Sequence, residues 1–317
     1  MAKPAGASVG DGVATVLRVI LLTGATGVVG GELLPELLAT GQQVRVLVRD
    51  PRKLGEHRVD VQITLGDLGD PLSIRHAMRG VDTVIHLAAT IRDQPGGTIE
   101  EINGLASNRL LRLAERAGVS RFVFFSAMGA TGFQRTRFFR SKALAERAVR
   151  DSPLRTTVFA PSIVYRPGDP WITLLQRLSL LPAVPVSGSG GSRYQPIWAR
   201  DVARCVAASV NGAKGSGRAG EKDGRYELGG PEILSYDEIV ERVLEAAGRN
   251  RPLVHVPTPL VRTGLRALEL VAGPSVFATW EEAELMEVPM TSERGTEDAE
   301  RLGVEPRPMG AVLGTEG

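Results

Sequence analysis

Through the first half of the chain, short unbroken apolar runs alternate with stretches whose apolar positions recur every three or four residues. VLRVILLTG (16–24) is almost continuously apolar, as a strand buried on both faces of a parallel sheet must be. Residues 28–39 then have helical spacing and stop before Gly41, with Pro35 removing one backbone donor inside the helix. QVRVLVRD (43–50), VQITLGD (61–67), DTVIHLAAT (82–90), RFVFFSAMG (121–129) and LRTTVFAPSIVY (154–165) continue the strand series. LSIRHAMRG (72–80), ASNRLLRLAERAG (106–118) and SKALAERAVRD (141–151) read as the intervening helices. Strand and helix alternating at short spacing predict βαβ units and an α/β fold with a doubly wound parallel sheet.

Beyond Tyr165 the pattern changes. Residues 167–191 are rich in Pro and Gly, YDEIVERVLEAAG (236–248) is an amphipathic helix that Ser235 is placed to cap, and VRTGLRALELVAG (261–273) is a second helix. Four regions are expected: a flexible tail over 1–15, a core over 16–165, a mixed part over 166–305 that adds sheet elements and a small substrate or lid subdomain, and a second flexible tail over 306–317. Residues 211–225, rich in Gly and charge, read as a surface loop.

Composition narrows the function more than the fold. At 43% hydrophobic and 23% charged, the 317 residues form a globular fold. A net charge of +2 gives no basis for nucleic-acid binding. One cysteine, Cys205, allows no internal disulfide, which is compatible with the cytoplasm, the expected location. The four histidines are scattered, so no metal site is expected. A partner protein or peripheral membrane association, for instance through 261–273, is left open.

The strongest chemical signal is TGATGVVG, where Gly24, Gly27 and Gly30 have the spacing G-x-x-G-x-x-G between a buried strand and a helix. Gly24 permits the tight turn, Gly27 lets backbone amides approach a pyrophosphate, and Gly30 allows close helix–strand packing. Thr26, Val28 and Val29 belong to the same turn, whose helix N-terminus favours an anion. The second strand ends in Arg49, then Asp50. An arginine there accommodates a 2′-phosphate and an acid the ribose hydroxyls, so NADP(H) is favoured over NAD(H). Asp67, with Leu68 beside it, either accepts from an adenine amino group or caps a turn. Ala88 and Ala89 are small enough for a dinucleotide to lie along the sheet edge, and His86 reads as a packed core histidine.

TGATGVVG, VLVRD, GDL, VIHLAA, VFFSAMG and RSKALAE stand in the order found in the short-chain dehydrogenase/reductase superfamily. With PSIVYRPGD and YQPIWARDVA, the chain resembles its atypical or extended branch, notably bacterial relatives of the nucleotide-binding accessory subunit of respiratory complex I and NmrA-like proteins. The resemblance implies a Rossmann-type core and an oxidoreductase-like, NAD(P)-binding function on an unknown small molecule. It places Ser126 at the substrate oxygen, Lys142 at the nicotinamide ribose, Asn103 as a brace, and Pro161 and Ile163 near the cofactor. It also exposes a departure, because Phe138 stands where active members carry the tyrosine that transfers the proton, and the neighbouring Phe139 has no hydroxyl either. Losing such a group forfeits roughly 10²–10⁴ in rate. Three routes stay open: Lys142 as the acid, Tyr165 or Tyr194 entering from the substrate side, or a reaction that needs no protein acid. The alternative function is a non-catalytic redox sensor or accessory protein of a respiratory assembly. Arg193 and Trp198 are expected near the substrate cleft, Asp201 as a helix cap, and the arginines around Lys142 as a solvated face.

Overall fold

In the computed structural model, which describes residues 18–212, 224–272 and 280–315, the chain is built outward from its first apolar run. Strand β1 (Val19–Thr23) buries Ile20, Leu21 and Leu22 on both faces. It leads into α1 (Val28–Ala39), which runs through Pro35, and then β2 (Gln43–Val48). A 3₁₀ segment (Pro51–Val59) precedes β3 (Gln62–Leu65), α2 (Pro71–Ala77) and β4 (Val81–His86). A π-helical turn (Glu101–Leu105) opens α3 (Ala106–Ala117), followed by β5 (Arg121–Phe125), α4 (Arg137–Arg150) and β6 (Arg155–Pro161).

The strand read over 154–165 is two strands. β6 ends at Pro161, and the short β7 (Val164–Tyr165) leaves the main sheet. Then come α5 (Pro170–Leu178), β8 (Val184–Ser187), β9 (Arg193–Tyr194), β10 (Ile197–Trp198) and α6 (Ala199–Val210). β11 (Arg225–Leu228), β12 (Leu234–Ser235), α7 (Tyr236–Ala246), β13 (Leu253–Val256) and α8 (Thr258–Ala272) follow. The chain closes with α9 (Trp280–Leu285), α10 (Glu297–Glu300) and α11 (Met309–Leu313). Ser235 caps α7 in a full capping box with Glu238, as its spacing predicts.

The central sheet is seven-stranded and parallel, in the order β11-β6-β5-β4-β1-β2-β3. The order reverses at β1, and it is outside the carboxyl ends of strands at such a switch point that an open α/β sheet binds its ligand. Leu33, Leu37, Val202 and Val206 of α1 and α6 cover one face, and Leu110, Leu111 and Val149 of α3 and α4 the other. A third cluster, with Phe139, Ile172, Tyr194 and Val240, lies in the C-terminal part.

The C-terminal segment corrects the expectation of a tail over 306–317. Met309 is fully buried, the Arg307 amide donates to Asp201 Oδ2 at 2.9 Å, and the Met309 amide donates to Glu232 Oε2 at 2.7 Å. Asp201 is therefore not the cap of α6, whose N-cap Trp198 makes no side-chain bond; it anchors this returning segment. The tail expected over 1–15 and most of the loop over 211–225 lie outside the described residues.

Candidate dinucleotide site

Where β1 ends, three glycines shape a turn, and at two of them, Gly24 and Gly30, a side chain has no room. Gly24 has φ +78°, and a Cβ there would stand 2.6 Å from the Ala88 amide. A Cβ on Gly30 would lie 2.1 Å from the Gly24 carbonyl, so the helix can press against the turn only with glycine. Gly27 donates its amide to the Gly24 carbonyl at 3.0 Å and is the N-cap of α1, with no side-chain cap. The first-turn amides of α1 thus keep donors free for an anion.

In front of this turn lies a cleft of about 550 Å³. Its floor is Thr23, Gly24, Thr26 and Gly27 from the turn, Val48 and Arg49 from β2, Gly66–Gly69 after β3, and Leu87–Thr90 after β4. Gln94, Gly96, Glu101, Ile102, Leu105 and Arg109 also line it. Backbone and small side chains predominate at the sheet edge, which suits a long, flat, charged ligand.

Arg49 reaches this cleft with its side chain 71% exposed, Nε 3.8 Å from Asp67 Oδ2. Asp50 does not line it. Its carboxylate caps the 3₁₀ segment, accepting the Arg52 amide at 3.0 Å and the Arg52 guanidinium at 3.0 and 3.2 Å. The Arg52 side chain holds the Asp50 carboxyl below its usual range. Asp67 Oδ1 accepts the Gly69 amide at 2.6 Å, the turn-capping role, while the residue still lines the cleft. Arg109, which nothing in the sequence singles out, donates to the Leu68 and Gly69 carbonyls at 3.2 and 2.8 Å and steadies that loop.

The other expected residues lie beyond the cleft. Val28, Val29 and Gly30 are in the first turn of α1, while Pro161 and Ile163 sit at the end of β6 and after it. Ser126 follows β5; its amide donates to the Phe159 carbonyl at 2.7 Å, and its buried hydroxyl has no hydrogen-bond partner among the described residues. Lys142 is 3% exposed, donates from Nζ to the Phe125 carbonyl at 2.6 Å and sits 5.1 Å from the Phe124 ring centre. Burial pushes its pKa down to about 7. Phe138 stands edge-on to Phe139, ring centres 5.3 Å apart, and both belong to the C-terminal apolar cluster.

Other groups near this end are committed elsewhere. His86 is buried between Thr23 Oγ1 at 2.7 Å and Ser107 Oγ at 2.8 Å, and desolvation, then Lys142, pushes its pKa down to about 3. Asn103 braces Thr90, accepting its amide at 2.9 Å and donating to its carbonyl at 2.7 Å. Tyr194 gives its hydroxyl proton to the Met286 carbonyl. Ser162 Oγ donates to the Met290 carbonyl at 2.7 Å, and the Met290 amide to the Arg193 carbonyl at 2.9 Å, so 286–290 runs across this region. Arg193 faces Glu238 at 3.3 Å, and Trp198 lies between Arg200 and Arg307, 5.8 and 5.3 Å from its ring. Among the described residues no three His, Cys, Asp or Glu side chains gather as metal ligands would.

Residues 24–211, more than half of the chain, match the family model described as NAD(P)H-binding. The chain belongs to that NAD(P)H-binding family, as an atypical short-chain dehydrogenase/reductase-like, oxidoreductase-like member. It is 28% identical over 254 residues to the mitochondrial NADH dehydrogenase [ubiquinone] 1 alpha subcomplex subunit 9 of Arabidopsis thaliana, covering 75% of this chain but 60% of that relative. It is also 28% identical over 281 residues to the ceramide reductase of Caulobacter vibrioides, covering 86% of each. Among solved structures, a nucleoside-diphosphate-sugar epimerase from Staphylococcus aureus superposes with a TM-score of 0.73 at 20% identity, over 94% of this chain and all of that one, and so shares the fold. The glycine turn, the uncapped helix and the shallow sheet edge fit the dinucleotide this family binds.

Proposed function

We propose that this protein binds NADP(H) in preference to NAD(H) and acts as a reductase-type oxidoreductase on a small organic molecule. The carrying observation is the contrast at the end of β2: Arg49 lines the cleft, while Asp50 is turned away onto Arg52. A guanidinium there receives a 2′-phosphate, and the carboxylate nearest it, Asp67 Oδ2 at 3.8 Å, is exposed to solvent and does not hold it in a close pair. The α1 amides take the pyrophosphate, and Ala88 and Ala89 bed the dinucleotide along the sheet. When bound, the cofactor supplies the hydride chemistry.

At the reacting end Phe138 donates no proton. Ser126, with its unpartnered hydroxyl, orients the substrate oxygen, and Lys142, perturbed to near neutrality, is the group that holds and releases a proton at Nζ. A second reading is favoured by the covered Ser126 and by Phe138: a non-catalytic sensor or accessory subunit in which the dinucleotide is a structural ligand. The Arabidopsis relative is named as a subunit of a larger assembly, which supports looking for a protein partner.

Titration with NADPH, NADP⁺, NADH and NAD⁺, followed by a panel of carbonyl and quinone acceptors, separates these. Binding of NADPH at least tenfold tighter than NADH, with acceptor-dependent loss of reduced-cofactor absorbance, is the expected result. Equal affinities would overturn the NADP(H) assignment, and tight binding without turnover would favour the accessory reading.

A further inference from the structure

The parallel ribbon β8/β13 stands outside the central sheet, paired Val184–Leu253 through Ser187–Val256. Val184 and Val186 point into the core, while Pro185 and its register partner Val254 face solvent. Exposed apolar residues continue past both ends. Leu180 and Leu181, 65% and 45% exposed, lead into the ribbon, and Pro257 and Leu260, the latter 64% exposed, lead out of it. Exposed apolar side chains strung along one ribbon and past both its ends mark an interaction surface.

The two segments that carry them bring only basic charge of their own. Residues 170–200 and 246–268 contain no Asp or Glu, although they carry Arg177, Arg193, Arg200, Arg249, Arg251, Arg262 and Arg266. Arg177 is exposed at the end of α5, next to Leu180 and Leu181. Arg249 ties that turn to the start of β13, donating to Ser179 Oγ at 2.9 Å. Acids from other elements pair with some of these arginines or with their neighbours: Glu238 with Arg193 at 3.3 Å, Glu36 with Arg200 at 3.5 Å, Glu284 with Arg262 at 3.3 Å, Asp237 with His255 at 2.8 Å, and Glu287 with Thr258.

We propose that this face docks on an anionic lipid bilayer, with Leu180, Leu181, Val254 and Leu260 entering the headgroup region and Arg177 and Arg251 meeting the lipid phosphates. Shallow apolar insertion and basic side chains at the headgroups are the two terms that hold a peripheral protein on a membrane. Among the described residues no helix is long and apolar enough to cross one, so the attachment is to the surface. The inference does not rest on the nucleotide reading.

The test is flotation of the full chain with vesicles of phosphatidylcholine alone and of phosphatidylcholine with phosphatidylglycerol, at low and high salt. The wild type should float with the anionic vesicles at low salt, and markedly less at high salt or with the neutral ones. Leu180→Asp/Leu260→Asp should cut partitioning at least tenfold, and Arg177→Glu/Arg251→Glu severalfold, with NADPH affinity and circular dichroism unchanged as a check on folding. No flotation with anionic vesicles would overturn the proposal. So would variants that float like the wild type, or a dimer without vesicles that the leucine variant dissolves, since the face would then join two copies of the chain.

Discussion

The carboxyl edge of the central sheet has two unlike halves. From β1 to β3 it is open, with five glycines and Ala88 and Ala89 in its lining beside Arg49 and Asp67, and with helix amides left uncapped. From β5 to β6 it is covered by the 286–290 segment and packed with phenylalanine, and it keeps two polar groups in apolar surroundings, the Ser126 hydroxyl and the Lys142 ammonium. The open half is made of what cannot be replaced, because its shape depends on missing Cβ atoms. The closed half is made of what costs stability to keep. On the proposed reading, binding falls to the open half and any chemistry to the closed one, and the substitutions that matter in each half differ in kind.

Four measurements break or sharpen that contrast. The largest effect belongs to Gly30→Val in the open half. Its Cβ collides with the Gly24 carbonyl, so we expect about 3 kcal/mol of lost stability in denaturant unfolding. NADPH affinity should fall by about 100-fold or more, equivalent to about 2.7 kcal/mol.

Lys142→Met acts in the opposite sense. The lysine titrates at its ordinary 10.5 in the unfolded chain and near 7 in the folded one. Between those values the unfolded chain holds more protons, so the wild type gains stability as pH rises from about 7 to 10.5. The variant should lose that slope in paired unfolding curves, be about 2 kcal/mol more stable at pH 7, and reduce acceptors far more slowly. A variant less stable than wild type would mean that the ammonium is well compensated.

Arg49→Ala is smaller. It should bring NADPH and NADH affinities together, a loss of about tenfold for NADPH corresponding to about 1.4 kcal/mol, and leave NADH binding unchanged. The smallest effect is Ser126→Ala. Removing a buried hydroxyl that has no partner should change stability by less than about 1 kcal/mol, in the stabilising direction, while any turnover drops. A clear destabilisation would show that this hydroxyl is bonded in solution.

The open half was legible in the sequence because it depends on short-range rules. G-x-x-G-x-x-G after an apolar run states its own geometry, as Ser235 before α7 does in the C-terminal part, whereas the capping role of Asp50 is seen only in the structure. Arg109 was not legible, because an arginine on an amphipathic helix carries no sign of which carbonyls it will meet. Neither was the destination of Asp201, which looks like a first-turn acid and holds a chain segment 106 residues away. Residues 306–315 read as a tail for want of periodicity, yet Met309 fills a core position. The strand predicted over 154–165 overruns β6 because apolar residues continue past Pro161 although its sheet partner, β11, stops at Leu228. Phe138 marked the missing tyrosine, but the enclosure of that half comes from residues more than a hundred positions further on.

β11 bears on how the molecule is made. β6 runs parallel to Arg225–Leu228, so until the ribosome has released those residues the edge of the nascent sheet is open. The growing chain therefore carries an apolar strand, Val158–Ala160, with one row of amides and carbonyls unpaired. A truncation ending at residue 212, although it holds the whole family-matched region, would keep that edge permanently. Such a fragment should aggregate where the full chain does not, and the order of synthesis becomes one of the conditions of solubility.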